Sequence, residues 1–284
     1  MLSRLLPALC CVALVARADV VSDLAALEAK HGGRLGVAAL DTGSGKQIGH
    51  RADGRFAMCS TFKLLLAAAV LARVDAGKES LERRVPYSGA DLLSYAPITR
   101  KHVAEGAMTV GDLCAAAIQY SDNTAANLLL PIVGGPEGLT RWLRAIDDKT
   151  TRIDRIEPDL NTNLPNDPRD TTAPAAMVAT TRKLLVGGAL SATSRDQLAR
   201  WLVGNTTGRA RLRAGFDPEW TVGDKTGTGE RGAANDVAIV WPKKGAAPWL
   251  IAVFYSAPDA RPAERDAIIA EAGRLVARAL AQPE

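Results

Sequence analysis

Two side chains at the start of an apolar stretch could together attack a carbonyl group. Ser60 and Lys63 stand three positions apart in CSTFKLLLAAAVLA, residues 59–72. On a helix such residues are neighbours, with roughly 5–6 Å between their Cβ atoms, so the amine can reach the hydroxyl directly or through a water. A serine is a weak nucleophile until a nearby base takes its proton. The pair therefore indicates nucleophilic catalysis, although one S-x-x-K alone also fits a helix start with a lysine extending to solvent.

Three further stretches carry polar groups of the types that acyl transfer uses. They are YSDNTAANLL at 120–129, RIEPDLN at 155–161 and DKTGTG at 224–229. A carboxylate such as Glu157 can act as a general base toward water. Two amines near one hydroxyl lower each other's pKa, which makes a neutral Lys63 conceivable beside Ser121 and Lys225.

The four motifs S-x-x-K, S-D-N, E-P-x-L-N and K-T-G, in this order and at these separations, closely resemble those of the class A serine β-lactamases. The likeness extends from the N-terminal segment to the last helical pattern. It implies hydrolysis of the β-lactam ring of penicillins and cephalosporins, an antibiotic-resistance activity, with no metal and no organic cofactor. The expected partner is a small-molecule β-lactam.

The resemblance also assigns catalytic roles. Ser60 matches the nucleophile that becomes acylated, and Ser121 matches the hydroxyl that passes a proton to the departing ring nitrogen. Glu157, with Asn161, matches the residues that prime a water to release the acyl group. The base for the first step stays open between Lys63 and Glu157.

Substrate binding is implied for a second set of residues. The resemblance gives the amides of Ser60 and Thr228 to an oxyanion hole and places Tyr95 at the rim of the cleft. Thr226 and Thr228 project to one side of a presumed strand, and Gly227 leaves room for a ligand. The full set of expected binding residues is Tyr95, Asn123, Arg211, Lys225, Thr226, Gly227 and Thr228.

The sequence departs from many relatives at two points. Ala234 stands where an arginine often follows K-T-G, and Arg211 matches an alternative arginine that a subset of the family uses. The competing interpretation of Arg211 is an ordinary solvated basic stretch. Cys59 and Cys114 match single halves of two family disulfides whose partner positions are here Gly229 and Ala67, so both thiols are expected to be free.

Two relatives of different function remain as alternatives. One is a penicillin-binding D-Ala-D-Ala carboxypeptidase of the same fold, and the other is a non-hydrolytic β-lactam sensor that acylates once and stalls. Glu157 and Asn161 argue against both, because they supply deacylation. Both residues belong to the polar loop RIEPDLNTNLPNDPRD, residues 155–170, which contains three prolines. The resemblance implies an Arg155–Asp170 ion pair across it and a cis bond before Pro158.

The chain begins with a pattern typical of an export signal. Arg4 precedes an apolar run, and Ala16-Arg17-Ala18 fits a cleavage site after Ala18. We expect a periplasmic or secreted monomer without stable membrane association, the alternative being a retained anchor. Loss of Arg4 and Arg17 lowers the Lys and Arg count from 35 to 33 against 31 acids, a formal charge of +2 that is too small for nucleic-acid binding.

The periodicity predicts an α+β fold of three α/β/α layers. A helix over 20–31 and two strands open the mature chain; three strands and a helix over 262–281 close it. We therefore expect an antiparallel sheet flanked by the terminal helices, with an inserted all-helical lobe. The predicted units are a signal at 1–18, an α/β lobe at 19–57 plus 208–284, and a helical lobe at 58–207. The site should lie where the lobes meet. Helical patterns occupy 61–74, 109–120, 124–130, 137–145, 172–186 and 194–203.

Overall fold

A five-stranded antiparallel sheet runs through the protein in a computed structural model that describes residues 19–282. The predicted export signal lies outside the described residues. The strands are β1 (Arg34–Asp41), β2 (Gln47–His50), β3 (Phe56–Ala57), β4 (Arg84–Pro86), β5 (Ala107–Thr109), β6 (Thr171–Thr172), β7 (Thr221–Thr228), β8 (Ala233–Trp241) and β9 (Trp249–Ser256). The sheet order is β2-β1-β9-β8-β7. The first and last parts of the chain therefore build one sheet, as predicted.

Helices cover both faces of this sheet, so the predicted three-layer α+β fold is confirmed. They are α1 (Val20–His31), α2 (Phe62–Asp75), α3 (Val110–Gln119), α4 (Asn123–Leu129), α5 (Gly135–Ala145), α6 (Pro174–Leu185), α7 (Ala192–Val203) and α8 (Pro262–Ala281). Strands β8 and β9 are buried along almost their whole length. Both faces of these strands are covered, which explains the apolar runs at 237–241 in β8 and 249–255 in β9.

The terminal helices α1 and α8 pack on one face of the sheet. Leu24 of α1 and Val276 of α8 meet Val37 and Val253 of the sheet in one apolar cluster, and all four are fully buried. Asp19 caps α1 by accepting a hydrogen bond from the backbone N–H of Val21 at 3.2 Å. The two ends of the described chain therefore share one core, which fixes the strands that come between them.

Helix α2 is the central element of the other face. Every residue from Phe62 to Leu71 is buried. A helix that is apolar on all sides is stable only when other elements surround it, and here α3, α4, α5 and α7 do so. The packing of these helices around α2 holds its start, with its polar residues, against the edge strand β7.

The inserted segment needs one correction, because it is not entirely helical. Strand β4 pairs with β5 in a two-stranded ladder, and β3 pairs with β6 where the segment returns to the sheet. These strands have two or three residues each, too few for an alternating pattern to show in the sequence. Across residues 19–282, no helix has the length and apolar character needed to cross a membrane.

Candidate active site

The chain presents Ser60 on a 3₁₀ turn, Cys59–Thr61, directly before α2. Thr61 closes the turn by donating its hydroxyl to the Met58 carbonyl oxygen at 2.8 Å. Cys59 has φ 46°, a left-handed conformation that costs free energy in a residue with a side chain. The turn directs Ser60 out of the core toward β7, and Ser60 is 8 % exposed.

Lys63 lies behind Ser60 and is completely buried. Its Nζ donates to Ser60 Oγ at 2.9 Å and to Asn123 Oδ1 at 2.6 Å, and it lies 2.9 Å from Glu157 Oε1. It also donates to the Ser121 carbonyl oxygen at 2.8 Å. Burial lowers the pKa of Lys63, and the Glu157 carboxylate opposes that shift. The predicted contact between Lys63 and Ser60 is therefore present in the structure.

Ser121 stands between two buried amines. Lys225 Nζ donates to Ser121 Oγ at 3.0 Å, and Lys63 Nζ approaches the same oxygen at 3.4 Å. Burial, and after it the positive charge of Lys63, lowers the pKa of Lys225 well below its ordinary value. A hydroxyl that accepts from one amine can donate its own proton elsewhere, so this group can relay protons.

Glu157 is 1 % exposed and is held from several sides. Ser60 Oγ donates to its Oε1 at 3.3 Å, and Asn161 Nδ2 donates to its Oε2 at 2.6 Å. The side chain of Asn127 fixes the backbone: Glu157 N–H donates to Asn127 Oδ1 at 3.0 Å, and Asn127 Nδ2 donates to the Glu157 carbonyl at 2.9 Å. The expected cis bond before Pro158 is present.

Sequence reasoning missed Asn127, although one signal pointed to it. Asn127 follows Asn123 by four residues on α4, so both amides project from the same side of that helix. Asn123 reaches Lys63, while Asn127 reaches the loop that carries Glu157. Helix α4 thus connects the amine and the carboxylate of the site.

An ion pair closes the 155–170 loop at its base, as expected. Arg155 Nε donates to Asp170 Oδ2 at 2.6 Å, and both partners are largely buried. The backbone N–H groups of Asp154 and Arg155 donate to Asp170 Oδ1 at 2.7 and 3.0 Å. A buried carboxylate with these donors resists rearrangement, so the loop holds Glu157 in one place.

A cleft of about 390 Å³ opens between the Ser60 turn, the start of α4 and strand β7. It is lined by Ser60, Tyr95, Ser121, Asn123, Asn161, Thr207, Arg211, Thr226 and Thr228. Of these, only Thr207 was not predicted; its hydroxyl lies 2.5 Å from that of Thr226. The other predicted site residues lie behind those that line the cleft and contact them; they are Lys63, Glu157, Lys225 and Gly227. Tyr95 stands at the rim and is 50 % exposed.

Arg211 is buried beneath the cleft and makes four hydrogen bonds. Its guanidinium donates to Asp266 Oδ1 at 2.7 Å, to the carbonyls of Gly227 and Asn235 at 2.8 Å each, and to Thr228 Oγ1 at 2.7 Å. The interpretation as a solvated basic stretch is therefore wrong for this residue. Its charge reaches the cleft through the Thr228 hydroxyl.

Gly227 lies where β7 passes closest to the Ser60 turn. A Cβ there would lie 2.6 Å from the Met58 carbonyl oxygen and 3.2 Å from the Ser60 nitrogen, both backbone atoms. We expect Gly227→Ala to separate strand and turn, to lower the free energy of unfolding by about 1–3 kcal/mol and to reduce kcat/KM by about tenfold or more.

Unfolding in urea measures the first effect, and steady-state kinetics with a penicillin, the substrate class that the sequence resemblance implies, measures the second. Gly188→Ala is the matched control, because a Cβ at Gly188 would meet nothing within 4 Å. Equal stability and kcat/KM in the two variants would contradict the argument from close approach.

Two buried acids lie below the K-T-G strand, and sequence reasoning missed both. Asp224 of β7 accepts from Asn205 Nδ2 at 2.7 Å and pairs with Arg213. Asp236 of β8 accepts from the Leu212 N–H at 3.1 Å. Burial raises the pKa of Asp236 well above its ordinary value, and the Asp224 carboxylate raises it further. Asp236 therefore tends to keep its proton in the folded state.

This raised pKa predicts a pH-dependent stability. Between the unfolded pKa near 3.8 and the higher folded pKa, the native state binds more protons, so the free energy of unfolding falls as pH rises. Asp236→Asn removes this titration, and its stability relative to the wild type should grow as pH increases through that window. Urea unfolding at several pH values measures the difference. Exposed Asp53→Asn is the control, expected within about 0.5 kcal/mol of wild type. If the free energies of unfolding of the wild type and Asp236→Asn changed in parallel with pH, the raised pKa of Asp236 would be refuted.

Cys59 and Cys114 are both buried and free, as expected. Burial, followed by the negative charge of Glu157, raises the pKa of Cys59 to about 12. A Cβ at Gly229 would lie 2.6 Å from the Cys59 sulfur, so the two positions are neighbours, but Gly229 offers no thiol. Among residues 19–282, no three His, Cys, Asp or Glu side chains are grouped so that they could hold a metal ion.

Comparison with known proteins places these residues in context. Residues 19–280 match the model of the Beta-lactamase enzyme family. The chain is 50% identical to the β-lactamase CTX-M-8 of Citrobacter amalonaticus over 258 residues, 91% of this chain and 88% of that protein. It is 51% identical to the β-lactamase L2 of Stenotrophomonas maltophilia over 257 residues, 90% of this chain and 84% of that protein.

Solved structures give the same result. An ancestral class A β-lactamase reconstructed for Gram-negative bacteria superimposes with a TM-score of 0.90 at 58% identity, covering 92% of this chain and all of that one (100%). A putative class A β-lactamase, PenP of Rhodopseudomonas palustris, gives a TM-score of 0.89 at 56% identity, covering 92% and 99%.

Proposed function

Because this chain belongs to the β-lactamase enzyme family, we propose that it works by acylation of Ser60 and release of the acyl group by a water that Glu157 activates. The protein is a class A serine β-lactamase, a hydrolase that opens the β-lactam ring of antibiotics.

Acylation begins when Ser60 Oγ attacks the lactam carbonyl. Two bases lie within reach of its proton, Lys63 Nζ at 2.9 Å and Glu157 Oε1 at 3.3 Å. Because these bases are themselves 2.9 Å apart, a proton accepted by one can pass to the other. Either group can therefore accept the Ser60 proton and pass it to the other.

The backbone amides of Ser60 and Thr228 stabilise the oxygen that becomes negative. Removing one such donor typically costs about 10²–10³-fold in rate. When the C–N bond of the ring breaks, Ser121 Oγ gives its proton to the nitrogen and recovers one from Lys63 or Lys225. The product of this step is an ester on Ser60 with the ring open.

Deacylation reverses the proton flow. A water between Glu157 and Asn161 attacks the ester carbonyl while the Glu157 carboxylate takes its proton. The ester C–O bond breaks, and Ser60 Oγ leaves with a proton delivered through Lys63. The enzyme returns to its starting state after one water has been consumed.

The remaining cleft residues bind the substrate. The hydroxyls of Thr226 and Thr228 hold its carboxylate, supported by the charges of Lys225 and Arg211. The hydrogen bond from Arg211 to Thr228 at 2.7 Å supports this role. Asn123 holds the acyl side chain and Tyr95 shapes the rim.

The position of Glu157 is the observation that carries the proposal. A buried carboxylate 3.3 Å from Ser60 Oγ, anchored by Asn127 and Asn161, provides a base for release of the penicillin acyl group, the step at which a penicillin-binding carboxypeptidase or a sensor stalls. The test is intact-mass analysis during penicillin turnover. We expect a short-lived adduct and complete consumption of excess drug, whereas one equivalent of stable adduct would indicate a sensor or a penicillin-binding carboxypeptidase.

We also propose that the enzyme is exported to the periplasm or secreted, is cleaved after Ala18, and acts as a monomer without stable membrane association. The family match that begins at residue 19 and the helix cap at Asp19 support this boundary. N-terminal sequencing of the exported protein and light scattering test it. An uncleaved N-terminus or a dimer would contradict it.

A further inference from the structure

A cavity of about 700 Å³ lies on the side of the 155–170 loop, outside the catalytic cleft. The loop forms one wall through residues such as Asn163 and Asp167, and β3 and the β7–β8 turn form the others. The catalytic cleft shares none of its lining residues. This volume falls in the range of small-molecule sites, and no step of the hydrolysis uses it.

Arginines dominate the charge of this cavity. Five of them line it, against Asp167 as the only acid of the lining: Arg34, Arg55, Arg155, Arg169 and Arg231. Arg169 is paired with Asp167 at 2.8 Å and Arg155 with Asp170 at 2.6 Å. Within the described residues, Arg34, Arg55 and Arg231 have no carboxylate within 4.0 Å, so three positive charges are left uncompensated around one concave surface.

The local contacts hold these guanidinium groups without neutralising them. Arg34 donates to the Arg55 carbonyl at 2.6 Å and lies 4.0 Å above the Phe56 ring. Arg55 donates to the Thr150 carbonyl and to Thr171 Oγ1, at 2.9 and 3.0 Å. Partial burial, followed by repulsion from Arg51, lowers the pKa of Arg34, and the Glu28 carboxylate opposes this shift only in part.

The shape and chemistry of the walls indicate the kind of ligand. Guanidinium groups in a fixed orientation bind carboxylates in pairs of parallel hydrogen bonds. A concave surface of one charge also concentrates ions of the opposite sign. Phe56, Leu160, Leu164 and Pro165 add apolar wall between the arginines, which favours a ligand with a hydrocarbon body over a fully hydrated inorganic ion.

We infer that this cavity is a second binding site, separate from the catalytic cleft, for a small organic anion that carries two or more carboxylate groups. Arg34, Arg55 and Arg231 bind the carboxylates, and the apolar wall packs against the body of the ligand. The site lies against the loop that carries Glu157, but its occupancy is independent of the acylation chemistry.

Isothermal titration of the enzyme with benzene-1,3,5-tricarboxylate tests the inference. We expect saturable one-to-one binding with a dissociation constant at or below about 1 mM, weakened by added salt. Benzoate, with one charge, and inorganic pyrophosphate, without an apolar body, should each bind at least about tenfold more weakly. The inference would be overturned if the tricarboxylate showed no saturation. It would also be overturned if benzoate or pyrophosphate bound with the same affinity as the tricarboxylate.

Variants locate the bound anion. Arg231→Gln removes the charge of a side chain that forms no ion pair in the described structure, and Arg34→Gln removes a second positive charge from the cavity. Each variant should bind the anion at least about tenfold more weakly. Arg200→Gln, an exposed change on α7, removes the same charge away from the cavity and should leave affinity unchanged. The anion should not compete with a penicillin in steady-state kinetics. Competitive inhibition, or unchanged affinity in Arg231→Gln and Arg34→Gln, would place the anion elsewhere and refute the site.

Discussion

Glu157→Gln is expected to form the acyl-enzyme with a penicillin and then to retain it, with deacylation slowed about 10²–10⁴-fold. The amide fills the same space but cannot take a proton from water. Acylation should continue, because removal of the carboxylate also removes the charge that raises the pKa of Lys63. With that opposing charge removed, burial lowers the pKa of Lys63 further, so the amine is more easily neutral and able to accept the Ser60 proton.

Stopped-flow mixing and intact mass measure the two steps separately. Asp159→Asn is the matched control, because it makes the same change on an exposed acid two residues away. That variant should turn over at the wild-type rate. If Glu157→Gln released its adduct as fast as the wild type, Glu157 would have no part in deacylation.

Ser60→Ala is expected to abolish turnover, with kcat reduced on the order of 10⁶-fold, the scale seen when a serine nucleophile is removed. Fold and stability should change little, since the side chain lies at the surface of the cleft and its hydroxyl is not needed to close the 3₁₀ turn. The turn depends on Thr61 and Met58 instead.

The decisive measurement is the mass of the protein after incubation with a penicillin. No covalent adduct should form on Ser60→Ala, while exposed Ser80→Ala should acylate and turn over normally. An adduct on Ser60→Ala would show that another residue is the nucleophile.

The sequence was sufficient to predict the polar groups that the structure brings together around Ser60. Ser60, Lys63, Ser121 and Glu157 belong to short motifs, and the all-apolar pattern after residue 63 correctly indicated a buried helix. The three strand-like stretches within 221–256 likewise located β7, β8 and β9. These features are local, because a few neighbouring residues determine each of them.

The contacts that hold Arg211 and the Ser60 turn in place could not be predicted, because they join residues that are distant in the chain. Arg211 is held by Asp266, 55 residues later, on α8. Asn235 of β8 donates to the carbonyls of Ala57 and Met58, which fixes the Ser60 turn across nearly 180 residues (177 and 178). Such contacts depend on the assembled sheet and leave no periodic signal.

The complete enclosure of α2 has a consequence for how resistance to new drugs can arise in this enzyme. Volume changes among its buried alanines and leucines disturb packing on every side, so mutants with altered interiors lose stability before they gain a new substrate. Adaptation must begin at solvent-facing positions such as Tyr95, where exchange costs little. Selection for activity on new drugs should therefore change residues at the rim of the cleft and preserve the buried residues of α2.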